Sequence, residues 1–239
     1  MTEPDAAEGN ARATARGHAV VTGASSGIGR AIAQRLLGIG WRVTGLDRAP
    51  ATLSDPGFVP KTVDLLDRDR TQACVDRIGG ATALVHAAGY MRTAALGGID
   101  AADGDAMWRL HAGAATVLAN TLAPGMAPGG RILLIGSRTA AGAAGRSQYA
   151  ATKAALVGLA RSWAIELAAR QITVNVIAPA ATDTPLLRDP ARSGVPPKTP
   201  PIGRFIEPSE VAALAAFLLS AEAGAITGQE IVICGGASL

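Results

Sequence analysis

From about residue 18 onward, apolar runs of strand length alternate with longer segments of helical period, and this alternation constrains the fold most. Parallel strands cannot be joined by tight hairpins; each crossover takes about a dozen residues or more, usually a helix. Strands are therefore expected at His18–Thr22, Arg42–Asp47, Lys61–Val63, Ala83–Ala87, Arg131–Gly136, Ile172–Ala178 and Glu230–Cys234. Helices are expected at Ile28–Ile39, Arg68–Ile78, Ala102–Met126, Gln148–Arg170 and Pro208–Ser220. The expected fold is α/β, a single doubly wound parallel sheet of about seven strands with helices on both faces. One segment breaks the rhythm: PLLRDPARSGVPPKTPP, from Pro185 to Pro201, has too much proline for a helix or central strand. A substrate loop is expected there, spanning about residues 185–205.

Composition narrows the class. A chain of 239 residues, 49% hydrophobic and 17% charged, can bury a sizeable single core and is not disordered in character. Aromatics make up only 3%, so that core must rest on Ala, Val, Leu and Ile. The 22 Lys and Arg against 19 Asp and Glu give a net charge of +3. The basic residues are scattered, without runs or interleaved aromatics, so no nucleic-acid surface is expected. Cys74 and Cys234 lie far apart with no metal-ligand spacing; free thiols and no metal site are expected. No stretch approaches the roughly 20 apolar residues of a membrane span, and residues 1–16 lack the hydrophobic centre of a secretory signal. Those residues are read as a flexible tail, residues 17–239 as one domain, and the setting as cytoplasmic.

The first strand runs into TGASSGIG, Thr22 to Gly29, and then into an amphipathic helix. A diphosphate must approach such a turn closely, where a Cβ would obstruct it, and the helix N-terminus offers unpaired N–H groups to phosphate oxygens. Asp47 ends the second strand, where a carboxylate can accept hydrogen bonds from the adenosine ribose and repel a 2′-phosphate. NAD is therefore favoured, with NADP the alternative. Tyr149 and Lys153 are spaced to share one face of a helix. A tyrosine ordinarily ionises near pH 10, and a neighbouring ammonium stabilises the phenolate. Ser137 lies upstream, at the end of the strand RILLIGS.

The spacing Gly23-x-x-x-Gly27-x-Gly29 resembles the TGxxxGIG signature of the short-chain dehydrogenase/reductase family at every defined position. The resemblance covers roughly residues 18 to 236, and the C-terminal ITGQEIVICGG is similar to members called 3-oxoacyl-carrier-protein reductases. It implies a Rossmann-type fold and hydride transfer between a nicotinamide cofactor and a secondary alcohol or ketone. In that reading Tyr149 exchanges the substrate proton, Ser137 orients the substrate oxygen, and Lys153 tunes the phenol and holds the cofactor ribose. The implied cofactor contacts are Gly23, Ser25, Ser26, Gly27, Ile28 and Gly29 in the turn, then Asp47 and Arg48. Asp64, Leu65, Ala87, Ala88 and Gly89 follow on the adenosine side. Tyr149, Lys153, Pro179, Ala180, Thr182 and Thr184 surround the nicotinamide, with the Ile177 backbone near. Arg138 and Gln148 are further candidates for substrate contact.

Three departures stand out. His86-Ala87-Ala88-Gly89 occupies the place of the family's Asn-Asn-Ala-Gly, which puts some sheet-bracing hydrogen bonds in question. His111 stands where an asparagine usually holds a proton-relay water, and is expected either to carry protons itself or merely to occupy the site. Ala180 replaces a glycine, so a negative φ is expected there. The resemblance also implies a homotetramer or homodimer. A non-catalytic dinucleotide-binding sensor is the alternative, though such relatives generally lose the tyrosine or lysine.

Overall fold

The computed structural model describes residues 17–190 and 195–239. Seven strands form one sheet: β1 (His18–Thr22), β2 (Arg42–Asp47), β3 (Phe58–Thr62), β4 (Ala83–His86), β5 (Arg131–Ile135), β6 (Thr173–Pro179) and β7 (Glu230–Ile233). Their order is β3-β2-β1-β4-β5-β6-β7, with every pairing parallel. The helices are α1 (Gly27–Gly38), α2 (Arg68–Val75), α3 (Ala101–Trp108), α4 (Ala114–Leu122), α5 (Ser147–Leu167) and α6 (Pro208–Leu218).

Strand side chains alternate between faces, and the two resulting cores are distinct. Ala19, Val21, Val85, Leu133 and Ile135 pack under Ile32 and Leu36 of α1 and Val211 and Ala215 of α6. Val20, Leu84, Ile132, Leu134 and Val176 face the other way, against Val75 of α2, Leu118 of α4 and Leu156 and Ala160 of α5. This is the doubly wound sheet that the alternation predicts.

Two expectations shift. The third strand was expected at Lys61–Val63 but runs from Phe58 to Thr62, through Pro60. Proline is tolerated because β3 is the outermost strand, mostly exposed, where the missing N–H breaks no inner ladder. The long helix expected at Ala102–Met126 divides at a π turn, Arg109–Gly113, between α3 and α4, and closes in a 3-10 turn, Ala123–Gly125. The proline-rich segment begins with a 3-10 turn, Pro185–Arg188. The expected tail at residues 1–16, and residues 191–194 of the expected loop, lie outside the described residues. Among the described residues no helix is long and apolar enough to cross a membrane, and no cluster could hold a metal ion.

Candidate active site

β2 and β3 lie to one side of β1 while β4 to β7 lie to the other, so connections leaving β1 and β4 part company. Such a switch point opens a crevice beyond the carboxyl ends of the strands. Here it is a cleft of about 340 Å³ walled by the glycine turn, Asp47 and Arg48 after β2, Asp64 and Leu65 after β3, and Ala87 to Gly89 after β4. Gly23 has φ +67°, and a Cβ on it would come within 3.0 Å of the Ala88 backbone. On Gly29 a Cβ would lie 2.2 Å from the Gly23 carbonyl oxygen. Ser26 caps α1 without a side-chain bond, so the first-turn N–H groups face the cleft uncapped by it. A turn with no room for a Cβ at Gly23 and Gly29, ending on a helix N-terminus, fits a dinucleotide diphosphate.

The cleft edge is held by carboxylates. Asp47 accepts from the backbone N–H of Ser25 through Oδ2 (3.0 Å) and of Ala49 through Oδ1 (2.9 Å). The Ser25 hydroxyl donates to the Ala49 carbonyl at 3.2 Å, behind the cleft wall, whereas Ser26 lines it. Asp64 accepts from Leu66 N–H at 3.0 Å. Leu46, Val63, Tyr90 and Leu110 also line the cleft. Nothing in their type set them apart from core residues in the sequence.

Where the family has asparagine, His86 supplies the bracing. The Thr22 hydroxyl accepts from the N–H groups of Ala87 and Ala88, each at 3.0 Å, which leaves its own proton for His86 Nδ1 at 3.0 Å. That arrangement places the imidazole proton on Nε2, which donates to the Leu110 carbonyl in the π turn at 3.1 Å. Burial, with Lys153 nearby, pulls His86 down to about 3, so the ring is neutral.

A second cavity of about 560 Å³ joins the first through Ile28, Ala87, Gly89 and Thr184. Ser137, Tyr149 and Lys153 line it together, with Pro179, Ala180, Thr182 and Thr184. Ser137 leaves β5 and caps a 3-10 turn, accepting from Thr139 N–H at 3.1 Å. Its hydroxyl proton can therefore point to a substrate oxygen. Tyr149 and Lys153 stand one turn apart on α5, the Lys153 Nζ 5.8 Å from the Tyr149 ring centre. Lys153 donates to the Ile135 carbonyl at 2.8 Å, and burial draws its ammonium down to about 7. Ala180 keeps a φ outside the positive range, as its Cβ requires. Thr184 packs its methyl 3.2 Å from where a Cβ on Gly27 would stand.

His111 does not line either cavity. It is fully buried in the π turn, edge-on to Tyr149 with ring centres 5.6 Å apart. Nε2 accepts from Tyr90 N–H at 3.3 Å, so Nδ1 carries the proton and donates to the Thr152 hydroxyl at 2.8 Å. Burial, then Lys153 and His86, hold its pKa well below 6.5. Gln148 is engaged elsewhere, donating to the Asp100 carbonyl at 3.0 Å.

A dinucleotide cleft that opens onto a serine, a tyrosine and a lysine is the layout of a nicotinamide-dependent oxidoreductase. Comparison with known proteins agrees. The family model described as enoyl-(acyl carrier protein) reductase matches residues 23–238. The 3-oxoacyl-[acyl-carrier-protein] reductase FabG of Thermotoga maritima is 34% identical, over 91% of this chain and 96% of its own. Among solved structures, the aldohexose dehydrogenase of Thermoplasma acidophilum superposes with a TM-score of 0.86 at 28% identity, over 94% of each chain. A short-chain dehydrogenase from Burkholderia cenocepacia, solved with NADP, gives 0.82 at 32% identity, over 92% of this chain and 97% of that one. The chain belongs to the short-chain dehydrogenase/reductase family and is an NAD(P)-dependent oxidoreductase acting on alcohol or ketone groups of small molecules. A non-catalytic sensor is not favoured.

Proposed function

We propose that Ser137, Tyr149 and Lys153 carry out the proton and oxygen chemistry of a reversible alcohol–ketone conversion. The observation that carries this is their common wall in a cavity continuous with the dinucleotide cleft. Ser137 donates to the substrate oxygen and steadies charge developing there. Tyr149 removes the hydroxyl proton in oxidation and returns it in reduction. Lys153 favours the phenolate by its charge and would hold the cofactor ribose. A nicotinamide dinucleotide held by the glycine turn would supply the hydride acceptor or donor. Tyr149→Phe should abolish turnover across a panel of alcohols, ketones and oxoacyl thioesters while cofactor binding, read by fluorescence titration, persists. Equal loss of both would instead assign Tyr149 to cofactor binding.

For the cofactor we favour NAD. The Asp47 carboxylate, pinned by Ser25 and Ala49, stands at the cleft edge where a 2′-phosphate would meet it, and the exposed Arg48 is the adjacent cation. The ratio of kcat/KM for NAD over NADP tests this; a ratio below one overturns it. His111 reads as a positioning residue, because neither ring nitrogen reaches the cavity. The segment at about 185–205 reads as the substrate loop, since Leu187, Val195, Pro197 and Pro201 line the cavity. A homotetramer or homodimer would bury Ile165 of α5 and Val232 of β7, which are 81% and 45% exposed. Light scattering reads that directly.

A further inference from the structure

Beyond Ser137, the wall of the larger cavity is built from the 3-10 turn Arg138–Ala141, Ala143 to Arg146, and the proline-rich segment from Val195. Its charged side chains are one-sided, with the terminal Leu239 also on the wall. Arg138, Arg146, Lys153 and Lys198 line it, and among the described residues no Asp or Glu side chain does. Other arginines have carboxylate partners: Arg188 pairs with Asp183, Arg92 lies 3.5 Å from Asp189, and Arg204 lies 2.7 Å from Glu210. Arg138 is half-buried, next to Ser137, and makes no hydrogen bond or ion pair among the described residues. Arg146 also lines the cavity and donates to the Val195 carbonyl at 3.4 Å.

A guanidinium partly withdrawn from water without a counter-ion is unfavourable, and its planar fork suits carboxylate and phosphate oxygens above other groups. We propose that the substrate carries such an anionic oxyacid group, seated on Arg138 with Arg146 as the second contact. Its carbonyl or hydroxyl then meets Ser137 and Tyr149. The inference rests on the Ser137–Tyr149–Lys153 reading of that cavity and adds the class of molecule the site selects. Because Arg138 directly follows Ser137, the anion must lie within a few bonds of the reacting carbonyl, which points to the carboxylate of a small oxo acid.

The test uses matched pairs: 2-, 3-, 4- and 5-oxo acids against their methyl esters. For at least one pair, kcat/KM should favour the anion, and Arg138→Gln should lower that preference on the order of ten- to hundredfold, mainly through KM. Arg138→Lys should retain part of it. The chain length of the preferred acid gives the spacing between the carboxylate and the reacting carbonyl. Wild-type ratios near one, or ratios unchanged in Arg138→Gln, overturn the proposal while leaving the dehydrogenase reading intact. Should no pair be turned over, malonate titrated calorimetrically into the enzyme–cofactor complex decides: weaker binding in Arg138→Gln than in wild type supports the site, and equal or undetectable binding refutes it. Tyr149→Phe separates the two ideas, since it should lose turnover yet bind malonate as wild type does. Cofactor binding and circular dichroism establish that each variant is folded.

Discussion

His111 is the residue whose part in the site changes most once its neighbours are known. A buried histidine held well below its ordinary pKa is neutral at neutral pH. Its proton is committed to Thr152, and Thr152 in turn donates to the Tyr149 carbonyl at 2.8 Å. The ring therefore fixes the first turn of α5, on which Tyr149 stands, without itself touching the cavity. His111→Ala would strand the Tyr90 N–H, at a cost of about 1–3 kcal/mol, and remove the donor that orients the Thr152 hydroxyl. Turnover and melting temperature should both fall, while the midpoints of the pH–rate profile stay where they are. A displaced midpoint would show that His111 carries protons after all. Ser137, Tyr149 and Lys153 were legible in the sequence because their spacing and strand-end position are local. The links from His86 to Thr22 and from His111 to Thr152 were not, because each joins residues far apart in the chain.

At the scale of elements, the same contrast runs through α1. Its first turn was legible because TGASSGIG serves a conformation and a close approach that few sequences allow. Gly29 has no room: a Cβ would overlap the Gly23 carbonyl, which belongs to the backbone and cannot move aside. Gly29→Ala should destabilise the fold by ~1–3 kcal/mol or more and weaken cofactor binding with it, as measured by chemical denaturation and titration. At the other end of α1, Gly38 has nothing within 4 Å of its missing Cβ and no left-handed φ. Gly38→Ala should stabilise by up to ~1 kcal/mol, since alanine favours the helix. A loss of stability there would mean the helix end is shaped by something other than propensity. The π turn was illegible for the opposite reason. Arg109–Gly113 has ordinary helical composition, and what accompanies the widened turn is tertiary: the Leu110 carbonyl finds its donor in His86, on β4. Likewise β3 escaped its expected position because an edge strand tolerates Pro60, and its exposure removes the apolar pattern by which strands are read.

The whole molecule buries Lys153 and His86 around the π turn with His111 beside them, and this sets how stability depends on pH. Lys153 falls from an ordinary 10.5 to about 7 in the fold, chiefly through burial. Between those values the unfolded chain holds more protons than the folded one, so stability rises with pH across that window and is progressively lost as pH falls toward 7. His86 falls from 6.5 to about 3, and His111 shifts in the same direction. Their contribution is complete above about 6.5 and is lost as pH drops toward 3, since both must then charge in the interior. The cofactor-free protein should accordingly melt at higher temperature at pH 9 than at pH 7, and lose stability steeply below pH 6. Lys153→Met removes the buried ammonium and should flatten the rise above pH 7, while the acid limb persists through burial of the two histidines, softened by loss of the Lys153 charge. His86→Asn should soften the acid limb and leave the alkaline rise. The two limbs thus separate genetically, and the assignment fails if Lys153→Met melts with the wild-type slope between pH 7 and 9. Adding the dinucleotide makes the same point from the other side. Anionic phosphates in the adjoining cleft favour the charged lysine, so saturating cofactor should stabilise the protein more at pH 7 than at pH 9.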